Sequence, residues 1–97
     1  MPDSSLRGKR ILVTHADAFM GPVLCEVLAR RGATVIPSTD ALLEPEAPAA
    51  LVAASGQVDI LVANLAIRNP RTSAIDVDEV EWREVFAHLV DPMPRLV

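Results

Sequence analysis

The sequence predicts an α/β domain built on a parallel sheet, and three observations predict it. Apolar runs at Ile11 to Thr14, Thr34 to Ile36 and Val58 to Asn64 alternate with stretches of helical periodicity. Hydrophobic residues make up 51% of the chain but aromatic ones only 3%, a balance that suits helices packed on a sheet better than an all-β core. Strands that alternate with helices join through right-handed crossovers, which places ligands at the carboxyl ends of the strands.

Taken in order, Ile11 to Thr14 is a short apolar run preceded by charge, the pattern of a strand buried on both faces. Gly21-Pro22 opens a helix, because proline's missing N–H is not needed in a first turn. Met20, Leu24, Val27 and Leu28 then recur at helical spacing, Glu26 and Arg30 stand four apart, and Gly32 stops the run. Thr34 to Ile36 is a second β-branched run, ended by Pro37. An exposed connection from Asp40 to Pro48 leads into a short helix that ends before Gly56. "VDILVAN", Val58 to Asn64, is the strongest strand signal, and the polar loop "RNPRTS" follows it. Asp78 and Glu81 have capping-box spacing, and Trp82, Val85, Phe86, Leu89 and Met93 form one apolar helical stripe beyond them. No internal repeat interrupts this series.

Bulk properties exclude several classes of function. A chain of 97 residues is at most one domain, with little margin in its core. Nine basic against 13 acidic residues leave a net charge of −4, and the Lys and Arg residues are scattered, so neither nucleic acid nor anionic membrane is an expected partner. After "RGKR" only three apolar residues precede Thr14, His15 and Asp17, too few for a signal peptide or a membrane span. A lone cysteine, Cys25, forms no internal disulfide, and the chain reads as cytoplasmic. Only about three strands are accounted for and the last apolar stripe runs on toward Val97, so residues 1–97 read as the amino-terminal part of a larger α/β domain.

The segments "GKRILVTHADAFMG", "GATVI", "GQVDILVANLA" and "EWREVFAHLV" resemble, in order and over essentially the whole chain, the signposts of the short-chain dehydrogenase/reductase superfamily. The resemblance implies a Rossmann-like three-layer fold, of which this is the amino-terminal portion only. In that superfamily the first loop reads Thr-Gly-x-x-x-Gly-x-Gly and a later strand ends Asn-Asn-Ala-Gly. Here His15 and Phe19 replace the first two loop glycines, and the strand ends Ala63-Asn64-Leu65-Ala66. The middle glycine is bare so that a pyrophosphate can approach the backbone. A benzyl group at Phe19 would crowd that approach, and Asp17 adds a negative charge.

Thr14-x-x-x-x-Phe19-x-Gly21 also matches the Thr-x-x-x-x-(Phe or Tyr)-x-Gly signature of the halohydrin dehalogenases, relatives without a nicotinamide cofactor. That resemblance implies conversion of vicinal halohydrins to epoxides and halide with no cofactor, in a pocket shaped by Thr14, Phe19, Gly21 and Asn64. It further implies a homotetramer, and a Ser, Tyr and Arg triad expected beyond Val97. The competing expectation is an NAD- or NADP-dependent oxidoreductase with a degenerate loop. Asp40, 19 residues after Gly21, stands near the spacing at which an acid holds the adenosine ribose. Against it, Pro37, Ser38 and Thr39 fill the positions directly after the strand, and Asp40 equally suits a turn. A non-catalytic half-domain is the third reading.

Each residue also has a plainer role. Phe19 is a core aromatic at a turn or a pocket wall, Thr14 a strand-end hydroxyl, and Gly21 a point of close helix packing. Asn64 bridges strand ends or touches substrate. His15 and His88 are read as solvated, with no catalytic role, and Cys25 as a small buried hydrophobe. Trp82 suits a packing face or a subunit interface.

Overall fold

The computed structural model describes residues 5–67, 72–73 and 75–97. Residues 68–71 of the polar loop expected after Val58 to Asn64 lie outside the described set. Three strands, β1 (Arg10–Val13), β2 (Thr34–Pro37) and β3 (Ile60–Val62), form one sheet in the order β2-β1-β3. Both pairings are parallel, and Leu12 stands opposite Ile36 on one side and Leu61 on the other. β1 is therefore paired along both edges, and Ile11, Leu12 and Val13 are all buried.

Side chains on a strand alternate between faces, and this alternation builds three layers. Ile11 and Val13, with Val35 and Val62, pack toward Cys25 and Leu28 of α1 (Gly21–Arg30). Leu12, with Ile36 and Leu61, packs on the opposite face against Leu42, Leu51 of α2 (Ala47–Ser55) and Leu96 of α4 (Pro92–Leu96). The α/β domain with a parallel sheet predicted from the periodicities, and the three-layer arrangement that the family resemblance implies, are thus observed.

Boundaries differ where side chains intervene. β1 begins at Arg10, which the sequence reading left outside it. Its N–H donates to the Asp59 carboxylate (2.8 Å), its guanidinium donates to the carbonyls of Gln57 (2.7 Å) and Ser55 (3.0 Å), and its own carbonyl accepts from the Asp59 N–H. These bonds tie the end of α2 and the entry to β3 onto the start of β1. β3 is shorter than Val58 to Asn64, because Asp59 turns its carboxylate to Arg10 and the Asn64 N–H folds back to the Val62 carbonyl (3.0 Å).

The expected single stripe from Trp82 to Met93 is also corrected. α3 spans Glu79–Leu89 and stops, and α4 starts at Pro92. At the break the Val90 and Asp91 N–H groups both donate to the Phe86 carbonyl (2.9 Å each), Val90 departs from ideal helical geometry with φ −119°, and Pro92 has no N–H with which to continue the helix. At the other end the Asp78 side chain accepts from the Glu81 N–H (2.8 Å), as the spacing predicts. The reciprocal half of the capping box is absent: Glu81 accepts instead from the Thr72 hydroxyl (2.6 Å). α3 buries none of its residues, and Trp82 and Phe86 stack on each other with ring centroids 5.0 Å apart. No helix among the described residues is long and apolar enough to cross a membrane.

Candidate functional site

The loop between β1 and α1, residues 14–20, lies at the carboxyl end of the central strand. Its backbone is held from three sides. The Thr14 hydroxyl, fully buried, donates to the Asn64 carbonyl (2.7 Å). The buried Asn64 amide donates to the carbonyls of His15 (2.9 Å) and Ala18 (3.0 Å). The Ala16 N–H donates to the Ser38 carbonyl (2.9 Å), which joins the loop to the end of β2. Gly21 completes the frame: a Cβ there would stand 2.5 Å from the Ala16 carbonyl oxygen, so the chain can return this close to itself only through a glycine.

His15 and Phe19 are the described non-glycine residues with positive φ, at 45° and 53°. These are the two positions at which the sequence pattern expects glycine, so the loop keeps the left-handed path without the residue that adopts it freely. Phe19 in left-handed and Met20 in right-handed conformation form a backbone nest at the start of α1. Among the described residues the N–H groups of Phe19, Met20 and Val23 have no acceptor, whereas those of Gly21 and Leu24 are bonded to Ala18 and Met20. Pro22 has no N–H to offer, and no side chain caps the helix. Free N–H groups in this arrangement suit an anionic group.

Phe19 itself is 78% exposed. Its ring stands at the rim of an open cavity of about 420 Å³, bounded also by Met20, Leu24, Asn64, Leu89 and Met93. The structure thus brings Phe19 and Asn64 to one cavity and puts Thr14 and Gly21 behind it, buried in the loop's frame. Asp40 sits apart, exposed beyond β2, where its N–H donates to the Ser38 hydroxyl (3.2 Å).

His15, which the sequence alone leaves as a solvated loop residue, is half-buried. The Ala66 N–H donates to its Nδ1 (2.9 Å), so the proton of the neutral ring resides on Nε2. Burial lowers the pKa of His15 from its ordinary value, the Asp17 charge opposes that, and His88 adds to it. The Nδ1 of His88 instead lies 2.9 Å from the Glu84 carbonyl, an oxygen it can meet only as a donor. Both rings line a smaller cavity of about 110 Å³ with Leu42, Leu43, Ala87 and Pro92. Nothing in the spacing of His15, Ala66 and His88 announces this arrangement. No cluster of His, Cys, Asp and Glu able to hold a metal occurs among the described residues.

No family model matches the chain. The 2-keto-3-deoxy-L-fuconate dehydrogenase of Xanthomonas campestris is 35% identical over 112 residues, covering 95% of this chain and 37% of that protein. The crystal structure of 2-keto-3-deoxy-D-gluconate dehydrogenase from Streptococcus agalactiae superposes with a TM-score of 0.69 at 20% identity, over 98% of this chain and 46% of that one. A short-chain alcohol dehydrogenase structure from Sinorhizobium meliloti gives 0.70 at 24%, over 98% and 48%. The two structures establish the fold, and the chain spans less than half the length of any of the three.

These likenesses correct the expectation of a cofactor-free protein. Dehydrogenases transfer a hydride and require an acceptor for it. Two physical reasons stood against a dinucleotide, the bulk of Phe19 and the charge of Asp17; both residues are exposed, and the backbone nest at Phe19 and Met20 is intact. By that test the loop fits a pyrophosphate. With this strand order, this loop path and 35% identity to a dehydrogenase over nearly its whole length, the chain belongs to the short-chain dehydrogenase/reductase superfamily.

Proposed function

We propose that the chain is the cofactor-binding, amino-terminal part of an NAD- or NADP-dependent oxidoreductase acting on a small-molecule alcohol or ketone. The observation that carries this reading is the left-handed path at His15 and Phe19, which retains the shape of a phosphate-cradling loop at the mouth of β1. The N–H groups of Phe19, Met20 and Val23 would hold the pyrophosphate oxygens, and Phe19 would shield them from the rim. Asp40, exposed at the carboxyl end of β2, would hold the ribose hydroxyls and repel a 2′-phosphate, which favours NAD over NADP. Bound nicotinamide supplies or accepts the hydride.

This chain's own contribution is positional: Thr14, Asn64 and Gly21 hold the loop rigid so that the nest is formed before the anion arrives. The chain contains no tyrosine, so the tyrosine of the family's proton transfer is not among these 97 residues. The names of two relatives point to a keto-deoxy sugar acid as the substrate type. A cytoplasmic location and self-association through α3 belong to the same reading.

Titration calorimetry of the protein that carries this chain tests it. NADH is expected to bind with a dissociation constant on the order of micromolar, NADPH more weakly, and Asp40→Ala to narrow the difference. Absence of heat with both dinucleotides, together with halide release from a vicinal chloroalcohol in their absence, would overturn it.

A further inference from the structure

The ring of His15 does something that the proposed cofactor loop does not require of a glycine at the same place. It accepts a hydrogen bond from the Ala66 N–H at 2.9 Å, and so spans from the β1–α1 loop to the segment after β3. The same residue's carbonyl accepts from Asn64 and from the Ala18 N–H. His15 is therefore joined to the far segment by backbone and by side chain, and it holds a positive φ of 45° while doing so. A left-handed conformation at a non-glycine residue persists where surrounding bonds compensate for it.

We propose that His15 is a protonation-sensitive latch, which holds the β1–α1 loop against the segment after β3 while its ring is neutral and releases it when the ring is charged. An imidazolium carries a proton on both nitrogens, so Nδ1 then faces the Ala66 N–H as donor against donor. Two titratable groups act on it: Asp17 of the same loop, whose charge raises its pKa, and His88 of α3, which lowers it. The residues that share the small cavity with both imidazoles, Leu42, Leu43, Ala87 and Pro92 among them, carry no charge. Burial is the largest influence and favours the neutral ring. With its folded pKa below the unfolded value, the latch is fully formed above the ordinary histidine range and is lost as pH falls through the folded pKa. The latch rests on the cofactor reading only for its effect on dinucleotide affinity; the hydrogen bond and its release do not depend on what the loop binds.

Hydrogen exchange of the Ala66 amide in the full-length protein is the test, with protection corrected for the intrinsic pH dependence of exchange. In the wild type, protection should fall about tenfold between about pH 7.5 and about pH 5.5. His15→Gly keeps the backbone path and removes the acceptor, so its Ala66 protection should be low at both pH values. His15→Asn tolerates the left-handed φ and does not titrate, so its protection should not change with pH. Protection that is independent of pH in the wild type, or equal in the wild type and His15→Gly, would overturn the latch. Dinucleotide affinity measured at the same two pH values should weaken at the lower one in the wild type only. If the exchange results hold but neither dinucleotide binds at either pH, the latch stands and the cofactor reading falls.

Discussion

At the scale of single residues, the loop after β1 shows how a backbone shape outlasts the residue type that usually makes it. A left-handed conformation costs a side-chain-bearing residue about 1–2 kcal/mol, and His15 and Phe19 both adopt one. Phe19 is mostly exposed, so its ring contributes little packing to offset that cost. Phe19→Gly should therefore be more stable than the wild type in urea denaturation by about 0.5–1 kcal/mol, the relieved strain less the entropy that glycine loses on folding. Phe19→Ala, which loses the ring and keeps the strain, should stay near the wild type and so fall below Phe19→Gly by about 1 kcal/mol. Asn64 acts in the opposite sense, as the brace. Its amide donates to two loop carbonyls that each also accept a backbone N–H. Asn64→Ala is accordingly expected to cost only about 1–2 kcal/mol. Asn64→Asp, which turns a carboxylate toward two carbonyl oxygens in a buried place, should cost more, and an equal or smaller loss in the same measurement would remove Asn64 from that role.

At the scale of elements, the two ends of α3 obey different rules. Its start is set by one side chain, Asp78, whose carboxylate bonds the Glu81 N–H. Asp78→Ala should lower stability by about 1 kcal/mol, while Asp78→Asn or Asp78→Ser should recover most of it, and thermal denaturation of the three variants checks the order. Its end is set by backbone chemistry, since Pro92 has no N–H with which to extend the helix. Strand limits follow a third influence. The bonds from Arg10 to Ser55, Gln57 and Asp59 shift β1 one residue toward the amino terminus and delay β3 until Ile60. Hydrophobic runs locate such strands, but side-chain bonds across about 50 residues of sequence determine where they begin.

At the scale of the whole molecule, the apolar surface of α3 stands without cover. Val80, Trp82 and Phe86 are exposed, and no α3 residue is buried. Exposed aromatic surface of this kind drives association. The 97-residue chain alone is expected to sediment as more than a monomer at micromolar concentration, and Trp82→Lys with Phe86→Glu should shift it toward the monomer. A wild-type chain that remains monomeric at high concentration would count against α3 as an interaction face.

How much of the molecule was legible in the sequence divides along a physical line. Strands, helices, their order, the Pro22 start of α1, the Asp78 cap and the sharp approach at Gly21 are local matters, written in periodicity and in the stereochemistry of single residues. The three-layer parallel sheet follows from them, because alternating strands and helices have few ways to bury both faces of a sheet. The site was legible only in part. Of the four pocket residues expected, Phe19 and Asn64 line one cavity while Thr14 and Gly21 lie buried behind it, and the inference that Phe19 blocks a phosphate assumed that its ring points inward, whereas a side chain's direction depends on neighbours that meet only after folding. The same holds for His15, whose partner Ala66 lies 51 positions away. A sequence determines by itself what each residue is able to do, through its backbone preferences, its polarity and its hydrogen-bonding groups. Tertiary structure alone decided that the Phe19 ring faces solvent and that the His15 ring accepts a proton donor, because both depend on which distant atoms packing brings within reach.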